Sequence, residues 1–172
     1  MKLDSNDFEL FALPVQYAQD VAAIDARWRA MQAEVHPDRH VAGGAAAQRR
    51  AMQWAVRVNE AHQRLRDPLR RGAYLCELQG APIGAETNTA MPAEFLMHQM
   101  AWREALDEAR TLPEVERLDA EVSTYRAAAL ARLGALLDEA HDASAAAAEV
   151  RALMFVERFA LDIERRLEAL EQ

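Results

Sequence analysis

Residues 21–45 read VAAIDARWRAMQAEVHPDRHVAGGA, and the tripeptide His36-Pro37-Asp38 divides this stretch in two. In the first part, apolar side chains recur every three or four residues, a pattern that predicts an amphipathic helix. Its positions are Val21, Ile24, Trp28, Met31 and Val35. Proline disfavours helical backbone in the residue before it, so the helix should end near His36. Asp38 is then expected at the tip of an exposed loop, which glycines at positions 43 and 44 close.

Helical patterns continue on both sides of this hairpin, and the sequence shows no alternation typical of a strand. A short helix is expected near residues 7–12. A long helix should cover residues 45–66, and Asp67-Pro68 marks the cap and first turn of another that reaches Leu78. The pattern predicts an all-α first module with five large apolar residues in its core. They are Trp28, Met31, Trp54, Val58 and Leu65.

Glycine and proline concentrate between residues 79 and 90, which predicts a linker between two modules. The expected boundaries are 1–78 for the first module, 79–90 for the linker and 91–172 for the second module. Three long apolar stripes follow the linker, and short turns separate them. Such stripes favour an antiparallel three-helix bundle. The charges also differ, because residues 1–80 carry 11 basic and 10 acidic side chains, whereas residues 81–172 carry 9 and 18.

The composition is that of a globular protein, with 51% hydrophobic and 28% charged residues. No apolar run approaches the ~20 residues of a membrane-spanning helix, and the first residues resemble neither a secretory signal nor a transit peptide. The sequence therefore predicts a soluble protein with no membrane partner. Cys76 is the only cysteine, which excludes an intramolecular disulfide and favours a reducing cytoplasm. It lies in an apolar run and is expected to be buried.

The sequence argues against catalysis, a metal site and nucleic-acid binding. It contains no phosphate loop, nucleophile elbow or cysteine–histidine arrangement, and its histidines form no second cluster beyond the tripeptide. We therefore predict no catalytic residue, no metal and no cofactor. A net charge of −8 disfavours a nucleic-acid partner, because phosphate binding needs a positive surface.

The tripeptide, placed between an amphipathic helix and a long helix, resembles the signature of the J domain. Residues 58–75, VNEAHQRLRDPLRRGAYL, resemble the end of that domain. The resemblance implies a DnaK-class chaperone as partner, whose ATPase the protein stimulates. The carboxylate of Asp38 can accept charge-assisted hydrogen bonds from an arginine of the partner. The implied chaperone-binding residues are His36, Pro37, Asp38 and Arg39, with Arg27 and Arg29 on the solvent side of the preceding helix.

Two further segments resemble the HscB family of iron–sulfur co-chaperones. They are residues 74–80, YLCELQG, and residues 95–108, FLMHQMAWREALDE. The resemblance covers nearly the whole chain in order. It implies a J domain that docks an HscA-like ATPase and a C-terminal three-helix domain that binds an IscU-like scaffold protein. The alternatives are a J protein that serves a different client and a structural helical protein in which the tripeptide is incidental.

The helix after Pro92 carries more apolar residues than the core of a three-helix bundle needs, and Phe155 lies off the apolar stripe of the last helix. A methionine-rich surface flanked by carboxylates is typical of a protein-binding patch. The alternative is that a wide core face buries these side chains. The HscB resemblance implies a scaffold-binding surface, from which Ala101 departs because an acidic residue is common there. Its residues are Leu96, Met97, Met100, Glu104, Glu108 and Phe155.

Overall fold

The computed structural model describes residues 5–171, with their side chains except at positions 37, 40 and 41. Every regular element in this range is helical, which confirms the predicted all-α fold. A 3-10 helix, Pro37–Gly43, stands where the sequence predicts an open loop. The α-helices are α1 (Asp7–Leu10), α2 (Val21–Val35), α3 (Gly44–Arg66), α4 (Pro68–Leu78), α5 (Ala93–Glu108), α6 (Leu112–Asp138) and α7 (Ala143–Glu171).

The chain divides into two compact units, Met1–Leu75 and the remainder. Residues 79–90, expected as a linker, therefore belong to the second unit. The buried side chain of Arg151 in α7 explains this placement. Its guanidinium donates to the carbonyl oxygen of Ile83 at 2.9 Å and to that of Ala90. Because Ile83 is also buried, this glycine- and proline-rich segment is held against α7.

The core of the first unit draws side chains from all four of its helices. Three members of the predicted apolar stripes are less buried than expected. Val21, the first residue of α2, is 41% exposed, and Trp28 and Trp54 are only half-buried. Trp28 lies at the edge of the core because its indole N–H donates to Asn59 Oδ1 at 2.9 Å. The buried apolar residues are Phe8, Leu10, Phe11, Ile24, Met31, Val35, Ala51, Val58, Ala61, Leu65 and Leu75.

A buried carboxylate connects α1 to α3. Asp7 is fully buried, and nitrogens of Arg57 and Arg64 lie 2.7 and 3.0 Å from its two oxygens. The contact with Arg57 is an ion pair rather than a well-directed hydrogen bond. The amide of Asp7 also donates to the phenol oxygen of Tyr74 in α4 at 3.0 Å. Because a buried charge is costly without such partners, this cluster fixes α1 on α3 and α4.

Two glycines take left-handed backbone where helices begin or end. Gly44 starts α3 with φ of 77°, directly after the 3-10 helix, and Gly80 follows α4 with φ of 80°. The amides of Gly80 and Ala81 donate to the carbonyls of Glu77 and Cys76 at 3.1 and 2.8 Å. This Schellman pattern satisfies the last carbonyls of α4, and a side chain at Gly80 would strain it.

The second unit is a three-helix bundle whose register follows from its ion pairs. Arg126 in α6 lies 2.6 Å from Glu157 in α7, and Arg132 lies 2.9 Å from Glu149. Residue numbers therefore rise along α6 as they fall along α7, so these two helices are antiparallel. The turn between them is only four residues long, which is typical of antiparallel neighbours in a bundle.

An aromatic cluster at the centre of the bundle joins all three helices. The ring of Phe95 in α5 lies 5.6 Å from Tyr125 in α6 and 5.5 Å from Phe155 in α7. About two turns further along α5, Trp102 stacks on Phe159 at 6.0 Å. The contacting residue numbers rise together along α5 and α7, so these two helices are parallel. Such aromatic pairs add specific geometry to the large apolar area that they bury.

The thiol of Cys76 is fully buried, as the sequence predicts, and burial raises its pKa from 9.0 to about 11. Folding therefore favours the protonated thiol. This contribution to stability is complete below about pH 9 and is lost as the pH rises from 9 to 11. At pH 8 we expect an aromatic disulfide reagent to label the native protein slowly and the guanidinium-unfolded protein at once. Equally fast labelling of both states would show that the thiol is accessible.

Candidate functional site

The tripeptide forms the end of α2 and the start of the 3-10 helix. His36 is the C-cap of α2, and its carbonyl accepts the amide of Arg39 at 3.0 Å. The amide of Asp38 donates to His36 Nδ1 at 3.3 Å, so Nδ1 is the acceptor in this contact. The carboxylate of Asp38 is 87% exposed, and its nearest ionisable neighbour is His36 Nδ1 at 3.6 Å. The turn therefore presents a carboxylate to solvent.

Three arginines accompany this turn, and the structure gives each a different environment. Arg39 Nη1 donates to the carbonyl of Ala33 at 2.7 Å, and Arg27 Nε donates to the carbonyl of Phe11 at 3.0 Å. Arg29 is exposed and makes no hydrogen bond to the part of the chain that the structure describes. Two of the three guanidinium groups thus also support the fold of the first unit.

A polar seam holds α2 against α3 and so positions the turn. His62 Nε2 lies 2.7 Å from Asp25 Oδ1, and its ring stacks on Trp28 at 4.6 Å. The hydrogen bond from His62 lowers the pKa of Asp25, and the positive charges of Arg66 and Arg29 lower it further. Folding favours the ionised carboxylate, so the contribution of this seam is present above the ordinary range of an aspartate and is lost as the pH falls below it.

The second candidate surface is the outward face of α5. Leu96 is 48% exposed, Met97 is 73% exposed and Met100 is 72% exposed, which confirms that these three side chains lie outside the core. Glu104 and Glu108 are exposed one and two turns further along the helix. Large apolar side chains so exposed on one helix face form an unusual surface for a globular protein. We refer to these five residues as the α5 patch.

The prediction that Phe155 lies on an exposed surface is wrong. This side chain is only 9% exposed, and its ring lies 5.9 Å from Phe159 within the aromatic cluster. The guanidinium carbon of Arg103 lies over this ring, 5.2 Å from its centroid. Because α7 packs against α5, α6 and the segment before α5, its buried face is wider than one apolar stripe predicts. A groove of about 600 Å³ between α5 and α7 has Phe155 in its wall.

No group of three metal-ligating side chains converges anywhere within the described residues. Among the same residues, no helix has the length and apolar character needed to cross a membrane.

Comparison with known proteins identifies the family. The model for the HSCB C-terminal oligomerisation domain matches residues 91–164. A co-chaperone protein HscB homolog of Burkholderia thailandensis is 52% identical over 174 aligned residues, which cover 99% of each chain. This chain belongs to the HscB co-chaperone family. The predicted family resemblance is thereby confirmed.

Solved structures of HscB proteins have the same fold. Chaperone HscB from Vibrio cholerae is 32% identical, has a TM-score of 0.79, and is matched over 96% of this chain and 99% of its own. Human co-chaperone HscB has a TM-score of 0.89 at 22% identity, over 96% of this chain and 84% of its own. The human likeness concerns the fold alone.

Two features of these surfaces were not predicted from the sequence. Arg103 covers Phe155, although nothing in the spacing of α5 indicates which helix it faces. On α3, Met52 and Val56 are 61% and 52% exposed and line a shallow groove with Arg49. Both residues lie off the apolar stripe of α3, and this spacing could have indicated that they are exposed.

The contact between His36 and the amide of Asp38 can be tested in the protein alone. We expect His36→Asn to keep this amide protected, because an asparagine oxygen accepts from the amide two residues on in an Asx turn. In His36→Ala the amide should exchange with solvent roughly two- to tenfold faster, since a hydrogen bond contributes about 0.5–1.5 kcal/mol. Amide exchange by NMR measures this rate, with the amide of Arg39 as internal control. Equal rates for Asp38 in wild type and His36→Ala would contradict the contact.

Proposed function

We propose that this co-chaperone stimulates ATP hydrolysis by a DnaK-class, HscA-like chaperone and delivers an IscU-like iron–sulfur scaffold protein to it. The protein works as an adaptor in the cytoplasm and has no catalytic residue, metal or cofactor of its own. Membership of the HscB family supports the co-chaperone role, and the two surfaces described above support the two partners.

The chaperone side of the proposal rests on Asp38. Its carboxylate is exposed, and the only ionisable group within 4 Å of it in the described part of the chain is His36. An arginine of the chaperone can therefore bind it without displacing an arginine or lysine of the described part of the chain. Charge-assisted hydrogen bonds of this kind are about twice as strong as neutral ones. His36, Pro37 and Arg39 shape the same turn, and Arg27 and Arg29 add positive charge that favours encounter with an acidic surface.

The client side rests on the α5 patch. Leu96, Met97 and Met100 give the scaffold an apolar contact, and methionine adapts its shape to a partner at little cost. Glu104 and Glu108 are suited to basic groups of the scaffold at the edge of this contact. Phe155 joins the surface only through the wall of the α5–α7 groove, so its contribution to binding differs from that of an exposed side chain.

Removing the carboxylate of Asp38 tests the chaperone interaction. We expect Asp38→Ala and Asp38→Asn to reduce stimulation of the chaperone ATPase at least about tenfold, because hydrogen bonds to charged groups contribute about 1.5–3 kcal/mol. The side chain is exposed, so the melting temperature should stay near that of wild type. Steady-state ATP hydrolysis measures the effect, and Glu116→Ala on α6 serves as a matched exposed control. Full stimulation by Asp38→Ala would refute the assigned mechanism.

Truncating the α5 patch tests the client interaction. We expect Leu96→Ala combined with Met100→Ala to weaken binding of the scaffold protein tenfold or more, as truncation of a contact hot spot commonly costs about 2 kcal/mol or more. The fold and the scaffold-independent ATPase stimulation should remain. Isothermal titration calorimetry gives the affinity, and Leu161→Ala is the control because Leu161 on α7 is 49% exposed, much like Leu96.

The variant Phe155→Ala tests whether Phe155 belongs to the core of the bundle rather than to the exposed α5 patch. Because the ring is buried in the aromatic cluster, we expect this change to lower the free energy of unfolding by about 3–5 kcal/mol, whereas the patch variant should lose little. Thermal and urea denaturation measure both. A patch variant that melts as early as Phe155→Ala, and binds the scaffold normally while folded, would place the client surface elsewhere.

A further inference from the structure

The last turn of α2 leaves several carbonyls without their usual donors, and the carbonyl of Ala33 is one of them. In a continuous α-helix the carbonyl of Ala33 would accept the amide of residue 37. That residue is Pro37, whose nitrogen carries no hydrogen. The helix ends at Val35, and the backbone of His36 turns away with ψ of 126°. The carbonyl of Ala33 therefore needs a donor from outside the helix.

Arg39 supplies that donor from the far side of the tripeptide. Its Nη1 lies 2.7 Å from the carbonyl oxygen of Ala33, and its own amide donates to the carbonyl of His36 at 3.0 Å. Arg39 is thus bonded to two carbonyls, that of Ala33 in the last turn of α2 and that of His36, the first residue of the tripeptide. A guanidinium is well suited to this position, because positive charge is favourable at the C-terminal end of a helix.

Asp38 lies between His36 and Arg39 in the chain, inside the loop that the two bonds of Arg39 close. Its side chain has no hydrogen-bond donor within the part of the chain that the structure describes, and His36 Nδ1 at 3.6 Å is its only ionisable neighbour. The direction of the carboxylate is therefore set by the backbone of residues 36–39. Among the described residues, that backbone is held by the bonds of His36 and Arg39 and by the 3-10 helix that begins at Pro37.

We infer that Arg39 is a positioning residue for Asp38 that acts through the carbonyl of Ala33, rather than a contact residue for the chaperone. The inference rests on the proposed function, because it assigns a role within the chaperone-binding turn. It also distinguishes Arg39 from Arg29, which is exposed on α2 without a hydrogen bond to the described residues and remains available to a partner.

The experiment has two arms, both with the full-length protein. In the first, NMR of the isolated protein compares wild type with Arg39→Met, which keeps an unbranched apolar stem but removes the donors and the charge. We expect the carbonyl carbon of Ala33 to shift and the backbone of residues 36–39 to become more mobile. Arg29→Met and Arg50→Met, at exposed arginines of α2 and α3, should leave residues 33–39 unchanged.

The second arm measures the concentration of co-chaperone that gives half-maximal ATPase stimulation, at low and at high salt. Arg39→Met should raise this concentration about three- to tenfold, by the same factor at both salt concentrations, because the lost bond is within the protein. The effect of Arg29→Met should shrink as salt rises, as expected for a long-range surface charge. Arg50→Met should match wild type at both salt concentrations.

Three results would overturn the inference. The first is an Arg39→Met protein with unchanged NMR signals at residues 33–39. The second is an effect of Arg39→Met that shrinks with salt as the effect of Arg29→Met does, which would make Arg39 a chaperone contact. The third is full stimulation by Arg39→Met at wild-type concentrations. Failure of the proposed function looks different, because wild type itself then gives no stimulation.

Discussion

The nitrogen of Pro37 carries no hydrogen, and the end of α2 is arranged around that missing donor. The helix stops, the chain tightens into a 3-10 helix, and Arg39 reaches back to the carbonyl that proline leaves unpaired. The same turn leaves the carboxylate of Asp38 in water. A single covalent feature of the chain thus ends one helix, begins a connection of different geometry and leaves exposed the acceptor that the proposed chaperone contact requires.

Much of the surrounding first unit keeps this turn in place. The seam of Asp25, His62 and Trp28 joins α2 to α3, and the buried carboxylate of Asp7 joins α1 to α3. Both arrangements pair charged or polar groups whose burial would otherwise be costly. Arginines take part repeatedly, because one planar guanidinium can satisfy a carbonyl or a carboxylate with several donors. Several arginines of this unit therefore stabilise its fold through internal hydrogen bonds and ion pairs.

In the second unit, burial and exposure are divided between two faces of the same helix. Phe95 and Trp102 of α5 pack in the aromatic cluster, while Leu96, Met97 and Met100 point away from it. The cluster supplies the packing, so the exposed side chains are not needed for it. A helix built this way can present an apolar surface to a partner without losing its own fold.

The amino-acid sequence was sufficient to predict the helical fold, the end of α2 and the family of the chain, and it indicated a surplus of apolar residues on α5. Each of these depends on local spacing, on the chemistry of proline or on motifs that are contiguous in the chain. The three-dimensional packing was needed to show that the apolar surplus on α5 is exposed and that Phe155 is buried. It was also needed to show that residues 79–90 are held by Arg151 and that Arg39 bonds to Ala33. Periodicity shows where one helix is apolar, but the width of a buried face depends on how many neighbours pack against it. The partner of a long side chain depends on which backbone groups the fold brings within its reach.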